Sequence, residues 1–125
     1  MSRPLFALVL AVTALGACQR AAEPAGQNGL DAIAREFVLL SLTIGEKEEG
    51  YIDAYYGPAD LQAKAKADAA SQDLDALARR TDDLRKKLEG VAPDEPMEMR
   101  RAKFLSAQLH SLLLIPFLQQ MKRES

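Results

Sequence analysis

Few residues of this 125-residue chain are of a type that performs chemistry by itself. His110 is the only histidine and Cys18 the only cysteine, and neither belongs to a set with zinc-site spacing or to a His-Glu-x-x-His pair. Ser41, Ser71, Ser106 and Ser111 lack the tight turn that makes a serine nucleophilic. No glycine-rich phosphate loop occurs. Carboxylates gather at Glu46, Glu48 and Glu49 and at Asp82 and Asp83, but without a second signal they read as solvated faces. An independent enzyme is not expected, nor a metal or cofactor. One polar group remains. All three tyrosines, Tyr51, Tyr55 and Tyr56, sit around Asp53 in a single stretch. Their hydroxyls and the carboxylate could be handles for a ligand at a corner of the chain. Plain packing is the stronger reading, because tyrosine rings supply apolar area while their hydroxyls reach water.

Composition narrows the setting. Hydrophobic residues make up 48% and charged residues 27%, which suits one globular domain and not a disordered chain. With no Trp and few other aromatics the core must come from Leu and Ala, which favours helices. A net charge of −2 provides no basic field, so nucleic acid is excluded as an expected partner. A lone cysteine excludes an internal disulfide.

The elements that must position the tyrosines are helical. Leu30, Ile33, Phe37, Leu40 and Ile44 recur at helical spacing, widened by Ala34 and Val38. Asn28 suits the N-cap of this helix and Gly45 its end. Tyr51 and Tyr55, four apart, predict a short helix that Gly57 ends through a positive φ, with Pro58 in the first turn of the next. Residues 59–70 are rich in Ala and Lys, with little apolar face beyond Leu61, and read as an exposed helical connector. Ser71 suits the next N-cap. Leu74, Leu77, Thr81, Leu84 and Leu88 then form one stripe that Gly90 closes, with Arg79, Arg80, Arg85, Lys86 and Lys87 mainly outside it. After the short Val91–Pro96 turn, capped by Asp94 or Glu95, a returning helix must run antiparallel. Its inward stripe is Ala102, Leu105, Leu109 and Leu112, with Phe104 and Leu113 beside it, and Arg100, Arg101 and Lys103 on a solvated face. The expected fold is all-α, a small antiparallel helical bundle over residues 30–113.

Both ends depart from that bundle. At the C-terminus, residues 114–125 read as an irregular apolar and basic tail. The run Leu112-Leu113-Leu114-Ile115-Pro116-Phe117-Leu118 is apolar on every side and carries a proline that removes a helix hydrogen bond. It is a candidate contact for a protein partner. At the N-terminus, Arg3 precedes an uncharged run from Leu5 to Leu15, which is shorter than the about 20 apolar residues needed to cross a bilayer and matches an export signal.

Leu15-Gly16-Ala17-Cys18, where that run ends, resembles the lipobox of bacterial lipoproteins. Small residues there admit the backbone to a signal peptidase, and the Cys18 thiol is the nucleophile that would take the diacylglyceryl group. The resemblance implies a signal peptide at 1–17, lipidation at Cys18 and a membrane anchor, with about 0.8 kcal/mol for each buried CH₂. Residues 18–29, polar and small, would be a flexible tether. Gln19 stands where an Asp would signal retention at the inner membrane, which implies the periplasmic face of the outer membrane in a Gram-negative cell. Loss of Arg3 makes the mature chain one unit more negative.

A second resemblance rests on Gly50-Tyr51-Ile52-Asp53-Ala54-Tyr55-Tyr56-Gly57-Pro58, preceded by Leu42-Thr43-Ile44-Gly45 and followed by Arg101-Ala102-Lys103-Phe104-Leu105-Ser106-Ala107-Gln108-Leu109. Over residues 30–113 the chain resembles the N-terminal segment of a bacterial family of long, helical, mostly uncharacterised, predicted zinc-peptidase-like proteins. The family's metal motif lies downstream of this segment, so none of its catalytic residues maps onto this chain. The resemblance implies a non-catalytic lipoprotein, a truncated or frameshifted copy whose residues 114–125 are read out of frame. Two alternatives are an adaptor that docks a periplasmic partner through residues 112–118, and an enzyme fragment that needs a separately encoded catalytic chain.

Overall fold

The computed structural model describes residues 25–125. They form four helices, α1 (Ala25–Gly45), α2 (Ala59–Ser71), α3 (Leu74–Glu89) and α4 (Pro96–Glu124), with no strand among the described residues. The protein is an all-α bundle. α1 lies at its centre and packs against each of the other three helices. α3 returns along α1, so that Gly29 near the start of α1 faces Val91 just beyond the end of α3. α4 then runs back along α3. Its early residue Arg101 reaches Asp31 at 2.6 Å, which puts the first turns of α1 and α4 at the same end of the bundle.

The main core combines Leu30, Ile33, Leu40 and Ile44 of α1, Leu77, Leu84 and Leu88 of α3, and Leu105, Leu109 and Leu112 of α4. These are the stripes that helical periodicity predicts. A second cluster joins the opposite side of α1, through Leu39 and Leu42, to Leu61 and Ala65 of α2, with Val38 and Tyr55 against it. Residues 39–44 are consequently buried without interruption. Ser41 and Thr43 are tolerated there because their hydroxyls donate to the carbonyls of Phe37 and Leu39, at 2.9 and 2.7 Å. Thr81 does the same to Leu77 in α3.

Several local expectations change. Residues 59–70 are not an exposed connector. α2 buries Leu61, Ala65 and Asp68, which share one face at helical spacing, and small Ala65 permits close approach to α1. The N-cap of α3 is Asp73, whose carboxylate accepts from the Ala76 amide at 2.7 Å, while Ser71 ends α2. α1 begins at Ala25, inside the segment read as tether, so Asn28 lies within the helix and not at its cap. α4 continues through Pro116 to Glu124, where an irregular tail was expected. A proline removes one i→i−4 hydrogen bond, but its fixed φ of about −65° is helical, so the helix can resume beyond it. Phe104, expected beside the inward stripe, is instead exposed.

Candidate functional site

The tyrosine stretch is a loop, not a short helix. Glu46, Lys47 and Glu48 extend the end of α1 by donating to the Leu42 and Ile44 carbonyls, and Gly50 takes φ +80° to turn the chain back. Ile52 then folds over Gly45, where a Cβ would come within 2.7 Å of the isoleucine side chain, so Gly45 is needed for close approach. Gly57 serves similarly. Its φ is not positive; the Tyr55 ring lies over it and would collide with any side chain there.

These constraints send the tyrosines to different places. Tyr55 packs against the α1–α2 cluster, and its hydroxyl donates to the Pro58 carbonyl at 3.3 Å. Tyr56 is 97% exposed and Asp53 is also at the surface. Tyr51 faces the end of α4. It lines a groove of about 590 Å³ with Glu48, Glu49, Ile115, Leu118, Met121 and Lys122, between the loop and the last turns of α4. Partial burial pushes its hydroxyl pKa up, offset in part by a hydrogen bond with Ser41. Tyr51 is therefore a neutral, amphipathic wall and not a base. Tyr51, Asp53, Tyr55 and Tyr56 do not converge on one ligand corner.

α4 forms the other wall. Leu114, Phe117, Leu118 and Met121 are each more than half exposed. Their spacing of three, four and seven residues places them together on a helix. Elsewhere on α4, His110 is exposed and its Nδ1 lies 2.7 Å from the Ser106 carbonyl, a bond within its own helix. Among the described residues, no three His, Cys, Asp or Glu side chains are grouped as metal ligands, and no helix is long and apolar enough to cross a membrane. Cys18 and the segment ahead of Ala25 lie outside the described residues.

The most connected polar group was not evident from the sequence. Arg80 of α3 bridges Asp68 of α2 at 3.0 Å and Glu36 of α1 at 2.5 Å, and donates to Gln72 at 3.0 Å. Lys64 supplies a second cation to Asp68 at 3.1 Å. Burial pushes the Asp68 carboxyl up, but hydrogen bonds from Lys64 and Arg80 outweigh it and hold the pKa below the ordinary aspartate value. The three helices are thereby fixed in register, and every charge is matched by a neighbour. This is an internal brace, not a substrate site. The spacing of Leu61, Ala65 and Asp68 was the available signal that α2 packs with a carboxylate on its inner face.

No protein-family model, curated protein or solved structure matches this chain. Its own surface is the guide to function.

Proposed function

We propose that this protein is a lipid-anchored, non-catalytic helical module of the bacterial cell envelope that docks another polypeptide through the outer face of α4. The observation that carries the docking is the exposed apolar row of Leu114, Phe117, Leu118 and Met121 beside the Tyr51 groove. Four large apolar side chains on one helix face, next to an apolar-walled groove, form the kind of patch that marks interaction surfaces. The internally neutralised brace supports a structural role for the buried charges. The anchor rests on the lipobox-like Leu15-Gly16-Ala17-Cys18. Kinship with the N-terminal segment of zinc-peptidase-like proteins, suggested by the residues from Gly50 to Pro58, belongs to the same proposal and leaves catalysis to other polypeptides.

Two measurements test it. Labelled fatty acid should enter the chain in bacteria and disappear with Cys18→Ala, which should also release the protein from the membrane fraction; an unlabelled, released wild-type chain refutes the anchor. A photo-reactive phenylalanine analogue at Phe117 should give a discrete adduct in cells, and the same analogue at exposed Tyr56 should not. Equal, diffuse labelling at both sites refutes the docking face.

A further inference from the structure

The exposed row at the end of α4 is part of a longer pattern. Met97, Arg100, Phe104, Ala107, Ser111, Leu114, Leu118 and Met121 follow one another at alternating steps of three and four residues, and all eight are exposed. Five of the eight, Met97, Phe104, Leu114, Leu118 and Met121, are large and apolar, and the alternation is that of the a and d positions of a coiled coil. This seam lies opposite the face that Leu105, Leu109 and Leu112 bury in the bundle. α4 thus has one stripe that the other helices cover and a second, over most of its length of about 43 Å, that none of the described residues covers.

We infer that the partner on this face is a second copy of the chain, packed antiparallel along α4. The inference rests on the docking reading and specifies its occupant. Side-chain size and charge along the seam select both the partner and its direction. In a parallel pair, Arg100 would oppose Arg100 of the second copy inside the seam. In an antiparallel pair centred near Leu109, Met97 meets Met121, Phe104 meets Leu114 and Arg100 lays its aliphatic stem along Leu118. The small residues Ala107 and Ser111 meet at the centre, where they let the backbones approach closely. The flanks agree. Asp94, two residues ahead of α4, lies at the end of the pair that Lys122 of the second copy reaches, and the two-fold axis makes this opposite-charge approach twice. Lys103 falls beside the Phe117 ring of the second copy, a cation–π arrangement. Tyr51 and its groove extend the apolar surface at each end. The antiparallel pair also sets the two α1 starts at opposite ends.

Cross-linking in the membrane tests direction and partner together. Two full-length chains with different tags are co-expressed in a Gram-negative host, one Phe104→Cys and the other Leu114→Cys, and membranes are treated with a mild oxidant. Wild-type chains set the Cys18 background. Disulfides joining the two tags, in excess over same-tag products, are the expected result. Same-tag disulfides alone refute the antiparallel pair, and no disulfide above background refutes self-association. Asp94→Lys should reduce the mixed product and Asp94→Lys with Lys122→Asp should restore it; no restoration counts against the register. Both cysteine sites are exposed, and unchanged helicity by circular dichroism verifies that the bundle is intact. If Phe117 gives a photo-adduct whose mass is not that of two chains, and the cysteine pair gives none, the second copy is wrong while the docking face survives.

Discussion

α1 and α4 are both apolar helices, yet they use their apolar residues differently. α1 is surrounded: residues 39–44 are all buried, with α3 and α4 on one side and α2 on the other. Among the described residues α4 is covered on one side only, and Phe104, Leu114, Phe117, Leu118 and Met121 face outward. A hydrophobic residue in α1 therefore stabilises the fold, while one on the outer face of α4 leaves the fold almost untouched and is free for another use. Apolar content does not reveal the difference. What covers each helix does.

The comparison can be broken most forcefully at α1. Leu40 is fully buried, and Leu40→Ala should cost about 2–5 kcal/mol in urea unfolding of the protein. A much smaller loss would mean that α1 is not the central element. Asp68→Ala comes next. It leaves Arg80 with Glu36 and Gln72 but removes the ion pair to α2, and should cost about 1–2 kcal/mol. The same carboxylate sets an acid limit. Its folded pKa lies below the unfolded value, so its contribution is complete above the unfolded pKa and is lost as pH falls through the folded one. The urea midpoint should therefore hold from neutrality down to about pH 5 and fall below about pH 4, less steeply in Asp68→Asn. The smallest stability effect belongs to α4. Leu118→Gln should change unfolding by no more than about 0.5 kcal/mol, yet reduce photo-cross-linking at Phe117. A loss of several kcal/mol there would assign the end of α4 to the core and remove the contrast with α1.

Legibility followed the same division. The stripes from Leu30 to Ile44, Leu77 to Leu88 and Leu105 to Leu112 can be read directly, because a helix that buries one face must repeat apolar residues with its own period. α2 was less legible. Ala-rich helices hide their packing face, since Ala65 signals nothing by hydrophobicity and acts only by being small. The tyrosine stretch misled for another reason. A spacing of four suggests a helix, but Gly45 and Gly57 admit Ile52 and Tyr55 over the backbone, and those close approaches hold a loop. Pro116 misled too, since its sequence signal is a break and α4 continues past it.

By itself, the sequence determined that this is an all-α protein, which faces of α1, α3 and α4 form the main core, and that the chain carries few groups able to do chemistry. Periodicity and composition are local properties, and the chain order contains them in full. Only the tertiary structure decided that α1 is enclosed on two sides, that Arg80 ties Glu36 to Asp68, and that no other described residue covers the outer face of α4. The physical reason is that coverage depends on which distant segments come to lie against a helix. That is settled by how the other three helices divide two clusters around α1, and no single stretch encodes it.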